Sequence, residues 1–285
     1  MKKAFQSIGK AAVYFFVYFL MQILVFAAFN AGLAAKMTME KIDAGEVIDT
    51  IEMVELLNTV ITDSAMLITL ISGVLVLLVF WLIFLIRKKK FINEVCICPI
   101  PTKAILPIVV MAGSFNLLTS VIISMFPWPE SWIDSYMISS SAIDNSLVAW
   151  LTAVIMAPVL EEIVFRGLVY TRLKKGLPQM MAAIMTSLIF GIAHGTIIWA
   201  IYTFIFGMVL IWIFEKFGSL TASILLHLAY NLSGMALALI PEEAGILILV
   251  LFVVSIFAVK SAYKRIEQIS AEVLEQKDAE DNNKR

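Results

Sequence analysis

The feature that most limits what this chain can fold into is a succession of apolar runs separated by short polar breaks. Each run is close to the ~20 residues a helix needs to cross a bilayer. Eight such segments are legible, at 11–35, 65–86, 104–126, 147–165, 179–195, 197–214, 220–239 and 244–260. Inside lipid every backbone N–H and C=O must be paired within the protein, so these segments predict an all-α, polytopic bundle of about eight transmembrane helices. With 61% hydrophobic and 15% charged residues, the chain lies far from the roughly half apolar and quarter charged make-up of soluble domains. The first segment follows Lys2, Lys3 and Lys10 as a signal peptide would, and Ala31, Gly32, Ala34 and Ala35 would suit a peptidase. Its apolar run outlasts the ~7–15 residues of a cleavable core, so a retained helix is expected.

Charge gives the topology. With eight crossings, Lys2, Lys3, Lys10, Arg87 to Lys90, Lys103, Arg166, Arg172, Lys174, Lys175, Lys216, Lys260, Lys264, Arg265, Lys277, Lys284 and Arg285 fall on one side. Of the 21 basic residues only Lys36 and Lys41 fall opposite, in a loop that also carries Glu40, Asp43, Glu46, Asp49, Glu52 and Glu55. The positive-inside rule then puts both termini in the cytoplasm. The short loops and charge-poor outer face suit a bacterial cytoplasmic membrane, and nothing in the charge pattern indicates nucleic acid.

The chain divides into helices one to three with an outer loop (1–146), a polar-bearing core (147–240), a last helix (241–263) and a charged cytoplasmic tail (264–285). Ile48, Ile51, Val54, Leu57 and Ile61 recur at helical spacing, so 47–61 is expected to lie on the membrane as an amphipathic helix. Trp128 and Trp132, in the Phe126–Trp132 stretch, suit an interfacial belt. The tail from Lys264 is expected to be solvated, without a core, and to fray from Asp278 onward. Cys96 and Cys98 have no third thiol or nearby His to complete a metal site, and are read as free, reduced thiols at the cytoplasmic face.

Ionisable groups inside apolar spans are costly and are by default a functional hypothesis. The fourth segment holds Glu161, Glu162 and Arg166, the fifth His194, and the seventh His227 and Asn231; the two histidines are the only ones in the chain. Residues four apart share a helix face, so Glu162 is expected to pair with Arg166, and His227 to sit one turn from Asn231. Adjacent residues diverge by about 100°, which leaves Glu161 off the ion-paired face and free for chemistry. Polar groups in lipid must find partners, and convergence on one polar cavity satisfies them all. Ser187 and Ser223 are read as hydroxyls bonded to their own helices rather than as nucleophiles. Depth is the one tension in this reading: at ~1.5 Å per residue, Glu161 falls about 6 Å from the cytoplasmic end of its segment, His227 about 10 Å and His194 over 20 Å.

Three motifs, Glu161-Glu162-x-x-x-Arg166, Phe190-x-x-x-His194 and His227-x-x-x-Asn231, stand in the order found in the CPBP intramembrane proteases. That family comprises the type II CAAX prenyl endopeptidases and the Abi-like bacterial proteins linked to bacteriocin processing and immunity, which this chain resembles over roughly 147–240. The resemblance implies that Glu161 and His194 activate a water and that His227 with Asn231 stabilises the oxyanion, with Glu162, Arg166 and Phe190 in support. Such roles fit a desolvated carboxylate as general base and hydrogen-bond donors aimed at developing charge. The resemblance implies a membrane peptide or protein substrate, cut near the cytoplasmic side.

Whether zinc takes part stays open. There is no H-E-x-x-H helix, so zinc would need Glu161, His194 and His227 from three segments, and Glu161 could then hardly be the free base. The metal-free arrangement is favoured because it uses each residue once. Two rival classes remain: a proton-coupled transporter, against which stands the lack of a pseudo-repeat of polar segments, and a non-catalytic immunity or regulatory protein of the same fold.

Overall fold

A computed structural model describes residues 2–45, 49–141, 146–241 and 244–283. Glu46 and Ile48 of the expected outer loop, and Lys284 and Arg285 of the tail, lie outside the described residues. The described residues contain no strand. Their helices are α1 Lys2–Asp43, α2 Thr50–Asp63, α3 Ala65–Ile86, α4 Thr102–Met125, α5 Glu130–Ser141, α6 Leu147–Leu173, α7 Gln179–Ile192, α8 Ile197–Phe217, α9 Leu220–Leu237 and α10 Gly245–Asn283, with a single turn at Phe91–Glu94. Among these, α1, α3, α4, α6, α8, α9 and α10 are long and apolar enough to cross a membrane. The remaining expected segment, 179–195, is α7, an apolar helix of 14 residues followed by the turn that carries His194.

Breaks between helices fall where the sequence supplies caps. Asp49 accepts the Ile51 N–H at 2.8 Å to open α2, Ser219 accepts the Thr221 N–H at 3.2 Å to open α9, and Gly218 in the left-handed region (φ 57°) closes α8. Such side-chain and glycine caps satisfy N–H and C=O groups that a helix end leaves unpaired. Helix α2 begins slightly later than the periodicity suggested; it buries Met53 and leaves Ile51 and Val54 exposed.

Two expectations need correction. The fourth segment does not end at 165, because its charges do not break the helix: Arg166 is paired with Glu162 within α6 at 2.8 Å. Arg172 is satisfied by the Glu94 carboxylate at 2.8 Å and by the Gly167 carbonyl at 2.8 Å, so α6 runs to Leu173. Nor is the tail free of a core. Helix α10 continues unbroken past Lys264, buries Ala262, Ile266 and Ile269 in the same core as the spans, and ties back through Lys216–Glu267 (2.6 Å) and Lys103–Glu272. A polar composition concealed one apolar stripe.

In the bundle, α4 packs between α9 and α10, α7 packs along α8, and α1 packs on α3 and the second half of α6. The basic ends gather on one face: Ser219 and Leu220 bond the carbonyls of Cys98 and Cys96, Lys174 pairs with Glu215, and Lys89 and Arg172 flank Glu94. The Lys89 ammonium, hydrogen-bonded to Glu94, holds that carboxyl below its ordinary range. Both cysteines are free, Cys98 exposed and Cys96 half-buried on this face.

Helix α7 approaches α8 closely at Gly191, where a Cβ would sit 2.6 Å from the Ala200 carbonyl oxygen. Because that oxygen is backbone, Gly191→Ala is expected to force the two helices apart, an overpacking cost of about 1–3 kcal/mol. It also lies three residues from His194. The expected result is a lowered melting temperature together with reduced activity, measured on the purified variant; unchanged melting would contradict the close approach.

Candidate active site

The candidate residues meet midway through the bundle, where α6, the end of α7, α8 and α9 face one another. Glu161, Phe190, His194, His227 and Asn231 line a single cavity of about 530 Å³, whereas Glu162 and Arg166 lie behind its wall, both fully buried. The depth conflict largely dissolves with the corrected helix end: Glu161 lies 12 residues before Leu173 rather than four before 165, near the middle of α6. The short α7 lets the following turn carry His194 into the same cavity.

The two carboxylates have different environments, as adjacent positions on one helix require. Glu162 is fully engaged. Its Oε1 accepts from Arg166 Nη1 at 2.8 Å and from His227 Nδ1 at 2.8 Å, and its Oε2 accepts from the Ser223 hydroxyl. Arg166 in turn donates to the Gly207 carbonyl at 3.2 Å and stacks over the Phe190 ring at 4.3 Å. Glu161 keeps 18% of its side chain accessible, with Oε2 3.7 Å from His227 Nε2. One carboxylate builds the wall and the other faces the cavity.

Hydrogen bonds fix both imidazoles. Phe190 O and the Glu162 carboxylate are acceptors, so His194 donates from Nδ1 to the former at 2.7 Å and His227 from Nδ1 to the latter at 2.8 Å. Each ring therefore leaves Nε2 for other partners, as a donor only when the ring is doubly protonated. Edge-on contacts hold the rings: Phe190 against His194 with centroids 4.7 Å apart, and Phe206 against His227 at 5.2 Å.

Asn231 is positioned by a local defect in α6. Residues 151–156 form wide π-helical turns directly before Pro158, which has no N–H to offer the carbonyls one turn earlier. The Asn231 amide instead donates to the Ala153 carbonyl at 2.8 Å, leaving a second amide hydrogen. Asn231→Ala is expected to destabilise the protein by about 1–3 kcal/mol through that orphaned carbonyl. In a Pro158→Ala background, where the helix regains an N–H, the loss should be smaller. Thermal melts of the two single variants and the double variant decide it; strictly additive effects would disprove the coupling.

The described residues hold no group of three His, Cys, Asp or Glu gathered as a metal site.

Sequence reasoning missed Ser223 as a partner of Glu162, and the direct Glu162–His227 bond. A signal was present for the serine: Ser223, His227 and Asn231 are spaced four apart on one face of α9. The roles of the Ala153 and Gly207 carbonyls left no trace in the side-chain pattern.

Fold and site together define a polytopic helical membrane protein with a buried carboxylate–histidine cluster opening into a cavity. Residues 143–233 match the family model described as Type II CAAX prenyl endopeptidase Rce1-like. The match covers about a third of the chain and is a likeness to that family that supports a CPBP-family intramembrane protease; all seven motif residues lie within it. No curated protein and no solved structure matches the chain.

Proposed function

We propose that the protein is an intramembrane endopeptidase that hydrolyses a peptide bond of a membrane-associated peptide or protein by direct activation of water. The observation that carries this reading is the placement of Glu161 and both histidines on one cavity, with Glu162 and Arg166 locked behind it. A water beside the Glu161–His227 pair can reach both at about 2.8 Å, since their 3.7 Å separation leaves room off the line between them. Glu161 takes a proton from that water, with His194 as its partner. The hydroxide adds to the carbonyl carbon, the C–N bond breaks, and the amine leaves with a proton returned through Glu161. His227, held by Glu162 in the manner of a carboxylate-oriented imidazole, donates through Nε2 to the oxyanion in its doubly protonated form, and the free hydrogen of Asn231 adds a second donor.

No step is routed through a metal. Cleavage by the purified protein is expected to survive chelation. Stoichiometric zinc lost in His194→Ala and His227→Ala, with activity of the chelated wild type restored by added zinc, would refute the metal-free route.

Both termini are proposed to be cytoplasmic, in a bacterial cytoplasmic membrane, from the basic asymmetry. An alkaline phosphatase fusion after residue 276 should be inactive and a cytoplasmic reporter fused there active; the reverse would overturn the orientation. The test of function is mapping of new polypeptide termini in membranes of cells carrying the wild type or Glu161→Gln. Termini present only with the wild type support a protease, and phenotypes that survive loss of Glu161 and both histidines would favour a non-catalytic protein of the same fold.

A further inference from the structure

We propose that the cavity opens on the membrane face opposite the basic residues, and that its substrate is a membrane-anchored polypeptide cut within a segment already translocated to that face. This rests on the proteolytic reading above and assigns its substrate class and side of entry, reversing the cytoplasmic-side cleavage expected from the sequence.

The structure separates two faces. On one, Lys3, Arg87, Lys89, Glu94, Arg172 and Lys175 line a shared pocket in which Glu94 pairs with Lys89 and Arg172, and Ser219, between α8 and α9, bonds the Cys98 carbonyl. The positive-inside rule makes this face cytoplasmic. The cavity is built from the other ends. Its walls include Met66 in the first turn of α3, Ser124 in the last turn of α4, Tyr136 from α5, Thr152 early in α6, Trp199 in the first turn of α8 and Met235 late in α9. These ends are tied across the mouth by the edge-on Tyr136–Trp199 contact at 5.9 Å and the Thr152–Met66 hydrogen bond at 3.2 Å.

Two further observations agree. Asn116, Ser120 and Ser124 recur every four residues along α4 and all line the cavity, a polar stripe leading from the buried level of Tyr230 to the exposed end of the helix. Toward the basic face the path is closed: Phe165, Arg166, Leu168 and Leu210 are each at most 1% exposed. Among the described residues, the cavity walls lead toward the face opposite the basic one. Among the described residues lining the cavity there is no Lys or Arg, while Glu161 is present. A chain end bearing a free carboxylate would meet no Lys or Arg and would sit beside the Glu161 carboxylate, so the cavity fits an internal, neutral stretch of polypeptide better than a C-terminal one.

Two measurements test this with the full-length protein in cells. In the first, a membrane-impermeant maleimide is applied to intact and to lysed cells. Wild type, through exposed Cys98, should label only after lysis, whereas Ser124→Cys in a Cys96→Ser/Cys98→Ser background should label in intact cells. The opposite pattern overturns the proposal, and the wild-type arm decides even if the variant fails to accumulate. In the second, termini that depend on Glu161 are mapped in the membrane fraction. They should lie in translocated segments or the outer half of spans; Glu161-dependent termini in cytoplasmic segments overturn the substrate assignment. If no terminus depends on Glu161, the proteolytic reading itself fails and the substrate class falls with it, while thiol labelling separately decides the side of the cavity.

Discussion

Glu161→Gln is expected to lower cleavage by about 10²–10⁴-fold, the usual contribution of a positioned general base, while leaving the protein folded and abundant. The prediction follows from its surroundings. Glu161 makes one ionic approach, to His227 at 3.7 Å, and keeps 18% of its side chain open to the cavity. Removing its charge orphans no buried partner, and glutamine preserves its volume. The readouts are single-turnover cleavage and a thermal melt of the same purified sample. A variant that retains wild-type activity, or loses activity only in proportion to lost fold, would remove Glu161 from the chemistry.

Glu162→Ala is expected to behave in the opposite way, losing protein first and activity as a result. Its carboxylate is the common acceptor for Arg166, His227 and Ser223, and both Glu162 and Arg166 are fully buried. Deleting one member of a buried ion pair leaves the other charge uncompensated, at about 3–5 kcal/mol, whereas replacing both with apolar groups of similar volume can be nearly neutral. Arg166→Ala should be comparably damaging. Glu162→Leu combined with Arg166→Met should recover much of the abundance of the single variants but not the activity, because His227 would still lack the acceptor that orients it. Membrane abundance and melting temperature provide the first half of the test and cleavage the second. Full abundance with no cleavage in Glu162→Ala, beside an active Glu161→Ala, would exchange the roles of the two carboxylates.

The sequence by itself determined the class of fold, because an apolar run of bilayer length in a chain this poor in charge has only the helix as a low-energy state. It also determined which polar residues to watch, since each intramembrane Glu, Arg, His and Asn carries a desolvation cost that something must offset. The i,i+4 rule further separated Glu161 from Glu162, and the separation matches the observed geometry because adjacent side chains on a helix cannot share a face.

Tertiary structure decided what depends on groups far apart in the chain. The end of α6 was misread because Arg166 and Arg172 look like boundary charges until Glu162 and Glu94 are seen to neutralise them. The bonds from His227 to Glu162 and from Asn231 to the Ala153 carbonyl join residues 65 and 78 positions apart. No local periodicity encodes such contacts. The core beneath the tail and the cavity itself likewise arise from which helix ends pack together. Hydropathy measures a residue's preference for lipid or water, but a cavity and its mouth are set by the packing of several helices at once.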